Sequence, residues 1–270
     1  MKIHPTAIVE DGAFLADDVD VGPFCVVGAS AVLQEGVRLS SHVVILGRTQ
    51  IGARTVVHPH AVLGGQAQIR RPSPAHAELR IGSDNIIREG VTVSTGSSAG
   101  TGITIIGDRC YLMAGSHVGH DCCVGDDVML SNAVQLAGHV EVQDGVILGG
   151  LAAVQQFGRI GRHAFISGLS GVSTDVIPYG LAIGLHVRLG GLNIVGLKRR
   201  NIPRSNIHAL RAAYRFIFVD YKGSIHEQAK QAAERWPEVP EVCEVVAFIL
   251  ADAKRPICPA RSRSADADGS

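Results

Sequence analysis

An aliphatic residue returns at every sixth position of this chain, and a period of six rules out most ways a chain can fold. Counted from Ile3, the series runs through Val9, Leu15, Val21, Val27, Leu33, Leu39, Ile45, Ile51 and Val57 to Leu63. It lapses and resumes at Ile81, Ile87 and Val93. It then runs from Ile106 through Leu112, Val118, Val124, Leu130, Leu136, Val142, Leu148, Val154, Ile160 and Ile166 to Val172, which makes 26 hexads in all. The step from Val93 to Ile106 reads as two hexads with one extra position inserted. An amphipathic helix would repeat about every 3.6 residues and a half-buried strand about every 2. A hexad instead accommodates a short strand and a corner, with its aliphatic residue turned to an axis. Three hexads close a triangular coil, and successive coils pair at the usual strand spacing of about 4.8 Å. The expected fold is mainly β: a parallel β-helix, a solenoid of hexapeptide repeats.

Composition agrees. The chain has 32 glycines and only 4% aromatic residues, which suits thin aliphatic layers and tight turns better than a bulky core. Glycine often follows the aliphatic position (Gly22, Gly28, Gly52, Gly82, Gly107, Gly119, Gly125, Gly149, Gly161), where a corner is expected to need a tight or left-handed backbone. The lapses near 64–80 and 94–105 are expected to be loops leaving a corner, where functional residues concentrate. The solenoid is assigned to residues 1–190 and a helical region to 191–256. In that region Ser205 is a candidate N-cap before Ile207, Leu210, Tyr214, Ile217 and Phe218, and Ser224-x-x-Glu227 is a capping box. A further apolar stripe of Val242, Val245, Val246, Ile249 and Leu250 lies between about Pro240 and Lys254. The stretch 257–270, ending RSRSADADGS, is polar and expected to be disordered.

Several functional classes drop out. Lys+Arg and Asp+Glu both number 25, so there is no basic excess of the kind a nucleic-acid binder carries. The six cysteines include no C-x-x-C pair, and adjacent Cys122 and Cys123 would clamp a metal poorly, so structural thiols are expected. The opening MKIHPTAIVE lacks the apolar centre of a secretory signal, and no apolar run is long enough to span a membrane. The expectation is a cytoplasmic protein with no membrane span and no bound cofactor.

Stacking turns the repeat into a coordinate system, because positions three hexads apart lie above one another. His120 then sits beneath Gly138 and Gly138 beneath Gln156, while Asp121 sits beneath His139 and His139 beneath Phe157. With His117 half a hexad before His120, and Gln155 beside Gln156, one edge gathers three histidines, a carboxylate and two amides. They fall within about 10 Å of one another. Imidazole is mostly neutral at neutral pH and suits general-base work, and a carboxylate beside it orients the ring. Three histidines also suffice for a catalytic zinc, so a metal-dependent hydratase is the competing reading. Gamma-class carbonic anhydrases share such a solenoid. A structural solenoid with no chemistry is the other rival, and it does not explain a helical tail opening with two arginines.

Five segments carry a further likeness: HPTAIVE at 4–10, GSHVGHDC at 115–122, LAGHV at 136–140, GG-x4-QQF at 149–157 and LNIVGLKRR at 192–200. Together they resemble the acyl-[acyl-carrier-protein]–UDP-N-acetylglucosamine O-acyltransferases, from residue 3 to about 255. The resemblance implies a left-handed β-helix, a homotrimer with sites in clefts between prisms, and the first step of lipid A biosynthesis. Its substrates would be UDP-GlcNAc and an (R)-3-hydroxyacyl chain on acyl carrier protein, with no metal. His120 falls on the family's general base, Asp121 on the residue that supports it, and Gly138 on the backbone donor to the oxyanion. His117, His139, Gln155, Gln156, Arg71, Asn193, Arg199 and Arg200 fall on substrate contacts, and Gly168 on the ruler of acyl length. The chain departs from its relatives at Ile69, where many have Asp, at Gln155, where many have His, and at Val195, where many have Glu. These positions lie on the sugar-nucleotide side, so a 3-amino analogue or another nucleotide amino sugar stays open as acceptor.

Overall fold

The computed structural model describes residues 1–70, 76–220 and 223–261. Every hexad forms a short strand, mostly of two residues, and from Val9 onward its aliphatic residue packs into the core. The strands pair in parallel into three sheets, each strand with its counterpart one coil later. The first sheet begins at Lys2–Ile3, the second at Ile8–Val9 and the third at Phe14–Leu15. The regular register is one coil of three hexads: Ile3 pairs with Val21, Val118 with Leu136, and Leu136 with Val154. The result is a triangular prism, the left-handed parallel β-helix expected of hexads.

Each hexad points a second residue inward, two positions before the aliphatic one. This row is smaller and includes Val19, Ala31, Val43, Ala61 and Val128, all buried. Cys25, Cys110 and Cys122 occupy it, so their burial is a matter of size, and no disulfide forms among the described residues. Asn85 sits there too, with its amide donating to the Gly107 carbonyl (2.9 Å) and accepting from the Cys110 N–H (2.7 Å). Each fully buried Leu or Ile contributes about 1.5–3 kcal/mol. The stack repeats that gain with every coil.

The glycines after the aliphatic position work differently from expectation. None of those nine has a positive φ. They are small because the next coil crosses directly over them: a Cβ on Gly119 would lie 2.8 Å from the Ala137 carbonyl carbon. The left-handed residues come later in the corner and are mostly not glycine, among them His42, His60, Asp121, His139 and His163.

The lapses also resolve differently. The strand Glu78–Ile81 follows directly on Val62–Gly65, and Ile81 pairs with Ile51, so the coil between them is longer than three hexads. Ile87 likewise pairs with Leu112 across an enlarged coil. The step from Val93 to Ile106 is therefore one hexad plus an insertion of seven, not two hexads plus one. Both insertions leave the prism between the second and third sheets, at the same edge that carries Asp121 and His139.

At the C-terminal end the strand Gly180–Ile183 continues the first sheet, and Arg188–Leu192 closes it antiparallel. Four helices follow: α1 (Ile194–Arg199), α2 (Arg204–Phe218), α3 (Ile225–Arg235) and α4 (Pro240–Leu250). α1 has no counterpart in the helical pattern read from sequence. Ser205 is not an N-cap, because α2 begins one position earlier behind Pro203. Ser224 and Glu227 do form the capping box of α3. α2 packs on α3, α4 and the strand Arg188–Leu192. The chain then returns to the prism, where Ile257 pairs with Asp175 and Ala260 with Leu189. Disorder from 257 is thus corrected for 257–261, where backbone pairing holds the chain, and residues 262–270 lie outside the described residues. No helix among the described residues is long and apolar enough to cross a membrane.

Candidate active site

The edge between the second and third sheets is built from corners that repeat every coil. Asp121, His139 and Phe157 hold the same left-handed corner conformation, with φ of 59°, 60° and 64°. Their side chains therefore project in one column. Phe157 stacks on His139 with ring centroids 4.6 Å apart, and His139 meets His120 edge-on at 5.0 Å. The column expected from counting coil by coil is present.

His120 and Asp121 form a buried dyad. Nδ1 of His120 lies 2.8 Å from Oδ2 of Asp121, and the two side chains are 8% and 0% exposed. A carboxylate without solvent needs donors, and the insertion after Val93 supplies them. Ser97 donates its hydroxyl to Oδ2 (2.6 Å) and its N–H to both oxygens (3.1 Å). The Gly102 N–H (2.9 Å) and the Thr101 hydroxyl (3.3 Å) reach Oδ1. The Asp121 N–H donates to Thr104 Oγ1 at 2.9 Å, which fixes the backbone as well. Burial alone would push the Asp121 carboxyl up, but the bonds from Ser97, His120 and Gly102 outweigh it and hold the carboxyl below its ordinary value.

Gly138 lies directly over the His120 ring, and a Cβ there would come within 2.5 Å of Cε1 and Nε2. Only glycine lets the backbone approach the imidazole this closely. The Gly138 N–H donates to no carbonyl among the described residues. It is a free donor beside the free nitrogen of His120. His117 stands one strand earlier on the outer face of the second sheet, with Nδ1 2.8 Å from Thr92 Oγ1. Burial holds His117 below the ordinary imidazole pKa. Burial also lowers His139; Asp121 opposes the shift, while His120 and Lys254 add to it.

Gln155 and Gln156 are exposed on the same edge one coil above, and Arg255 Nε donates to the Gln156 carbonyl at 3.0 Å. Lys254 Nζ lies 4.0 Å over the Phe157 ring, so the segment after α4 caps the column. Arg71 lies outside the described residues. Asn193, Arg199 and Arg200 do not join this edge within one chain. Asn193 caps α1 through Gly196 N–H (2.9 Å) and donates to the His163 carbonyl (3.0 Å), which belongs to the edge between the third and first sheets. Arg200 reaches the Gly145 carbonyl on that edge at 3.3 Å. Lys198 and Arg199 occupy the last turn of α1 and Arg200 its C-cap. The basic run therefore ends a helix, and cations favour the negative end of the helix dipole. Gly168 is exposed on the third edge, between the first and second sheets.

Ser97, Gly100, Thr101, Gly102 and Thr104 escaped the sequence reading. Their signal was the lapse itself, where the small polar run STGSSAGTG at 94–102 replaces the aliphatic pattern. His120, Asp121 and His139 also outline a candidate metal site, with ligand atoms within 4.8 Å of one another. The donor set does not fit a cation: five protein donors already converge on a carboxylate that has about four lone-pair positions. Two of them are backbone N–H groups, the lining of an anion site.

A prism of hexads carrying a buried histidine–carboxylate dyad at one corner defines a bacterial hexapeptide-repeat transferase, and a profile of six such repeats matches residues 103–138. A second profile, described as domain 2 of UDP N-acetylglucosamine O-acyltransferase, matches residues 175–258. The chain is 48% identical over 258 residues to the acyl-[acyl-carrier-protein]–UDP-N-acetylglucosamine O-acyltransferase of Agrobacterium fabrum, covering 95% of this chain and 94% of that one. A crystal structure of a UDP-N-acetylglucosamine acyltransferase superposes with a TM-score of 0.92 at 38% identity, over 97% of this chain and all of the other. The enzyme of that name from Campylobacter jejuni gives 0.90 at 36% identity, over 96% and 100%. The chain belongs to the acyl-[acyl-carrier-protein]–UDP-N-acetylglucosamine O-acyltransferase family.

Proposed function

We propose that the protein transfers an (R)-3-hydroxyacyl chain from acyl carrier protein to the 3-hydroxyl of UDP-N-acetylglucosamine, the first step of lipid A biosynthesis, in the cytoplasm. One observation carries the mechanism: His120 is buried between the Asp121 carboxylate on Nδ1 and the Gly138 backbone over Nε2. Asp121 keeps the proton on Nδ1, which leaves the Nε2 lone pair to accept the proton of the sugar hydroxyl. The hydroxyl oxygen attacks the thioester carbonyl and a tetrahedral oxyanion forms. The Gly138 N–H donates to that oxyanion. Collapse breaks the carbon–sulfur bond, and His120 gives its proton to the departing thiolate sulfur, which leaves as the carrier thiol. His117, His139, Gln155 and Gln156 line the same edge and take the sugar nucleotide.

The arginines imply a partner subunit. Arg200 and Asn193 lie on a different edge of the prism from His120, so a site that uses both sets is completed between two copies. A threefold arrangement of prisms brings one edge of each against another edge of its neighbour, and we assign the protein as a homotrimer on that ground. Arg suits the diphosphate because its planar fork makes paired hydrogen bonds. A mixture of His120→Ala and Arg200→Ala chains, co-assembled, is expected to turn over faster at low nucleotide-sugar concentration than either variant alone. No gain would place both residues in one chain's site.

Gly168 fits the ruler of chain length, since it is small and exposed at an edge, with space limited by the Gly150 carbonyl 3.1 Å from an added Cβ. Gly168→Met is expected to shift preference toward shorter chains. The decisive experiment offers UDP-N-acetylglucosamine and its 3-amino analogue, each with 3-hydroxyacyl carrier proteins of several lengths. Ester formation on the first sugar supports this reading, and amide formation on the second alone would move the acceptor to the amine.

A further inference from the structure

We propose that Ser97 is a positioning residue of the acyl transfer, clamping Asp121 so that the His120 base keeps its working tautomer and orientation. The inference rests on the acyl-transfer reading above. The hexad pattern has no need of the segment inserted between Val93 and Ile106; neighbouring coils close without it. The insertion nevertheless turns back onto one carboxylate. Ser97 is only 1% exposed, and its hydroxyl and N–H together touch both oxygens of Asp121. Gly102 N–H and the Thr101 hydroxyl close the far side. Gly100 crosses so near that a Cβ would run into Asp121 Cγ and the His139 ring. A loop that merely needed its own N–H groups satisfied would not converge from several positions onto the single carboxylate that holds the base.

The chemistry follows from what the carboxylate does next. Anchored by neutral donors, Asp121 presents a fixed oxygen to Nδ1 of His120. Its charge is shared among several hydrogen bonds, so it orients the imidazole without over-stabilising the imidazolium. Removing the Ser97 hydroxyl leaves more of that charge to the ring and loosens the oxygen that orients it. The other titratable groups facing His120 are His117 and His139, with Lys254 beyond His139. None of them touches Ser97.

The test is Ser97→Ala in the full chain, assayed for acyl transfer against pH, with Ser98→Ala as control because Ser98 is exposed in the same loop. For Ser97→Ala, kcat is expected to fall about tenfold with KM for the nucleotide sugar within about twofold of wild type. The acid limb of kcat/KM moves to higher pH, and Ser98→Ala matches wild type in all three. A folded Ser97→Ala with wild-type kcat, or with a reduced kcat and an unmoved pH profile, would overturn the assignment. Should Ser97→Ala fail to fold, Gly100→Ala decides by the same readouts, since its added methyl presses on Asp121. If the wild-type protein transfers no acyl chain at all, the enzymatic reading falls and this one with it; an active wild type with an indifferent Ser97→Ala sinks only the role of Ser97.

Discussion

Two edges of one prism carry their charges in opposite ways. Along the edge of His163, carboxylates and cations alternate from coil to coil. Arg54 binds Asp84, Arg109 reaches Asp126 and Asp127, and Arg162 reaches Asp144 and Glu244. The aspartates also cap the backbone of the coil before them: Asp108 accepts from Ser83 N–H, Asp126 from Asp108, and Asp144 from Asp126. These groups are largely exposed, and water shares their charge. At the corner of His120 on the other edge, the Asp121 carboxylate is fully buried, and among the described residues no Lys or Arg pairs with it. Its charge rests on hydroxyls, backbone N–H groups and imidazole. Exposed, cation-matched carboxylates hold coils together, whereas a buried carboxylate facing an imidazole fixes the orientation of the ring.

The sharpest way to break this contrast is His120→Ala. Turnover is expected to fall about a thousandfold, while the protein still melts cooperatively. Near-normal turnover in an acyl-transfer assay would remove the base from the mechanism. Asp121→Ala comes next and should affect both folding and rate. It strands the donors of Ser97 and Gly102, so urea unfolding is expected to show a loss of about 2–3 kcal/mol, and kcat drops about a hundredfold. Arg109→Ala on the opposite edge removes more ion pairs, yet its groups are exposed, so activity and the urea midpoint should stay close to wild type. An equal effect from both substitutions would erase the distinction between the edges.

Arg200→Ala is expected to raise KM for the nucleotide sugar about tenfold and to change kcat little. The smallest effect is on pH dependence and touches both edges. Burial holds His117 and His139 on one edge, and His163 on the other, below the ordinary imidazole value. As pH falls through about 6.5 the unfolded chain takes up these protons before the folded one does. The stability is therefore intact above that pH and declines below it, so the melting temperature should drop between about pH 7 and 5.5. Replacing His139 or His163 with Asn should flatten the decline. Asp121 acts in a lower window: its depressed carboxyl contributes above about pH 4, and that contribution is lost as pH falls further.

Much of this was legible in the chain. A period of six with branched aliphatic residues has few physical solutions, because each hexad must bury one side chain and turn. Once the period is known, positions one coil apart must stack, which placed His120, Gly138 and Gln156 in one column and Asp121, His139 and Phe157 in the next. The inner row of Cys25, Cys110 and Cys122 was there to be seen as well, but small residues scatter too much in type to stand out as a stripe.

What the chain alone determined, then, is the prism and the address of the candidate catalytic edge, since backbone pairing at a fixed period leaves no freedom in either. Tertiary structure decided the rest. It showed that glycines such as Gly119 answer to the coil above them and that both insertions open at the His120 edge. It also set Arg200 on a different edge, and turned a polar loop without periodicity into the clamp on Asp121. Hydrogen bonds within about 3 Å depend on where an irregular loop closes. No repeat in the sequence encodes that closure.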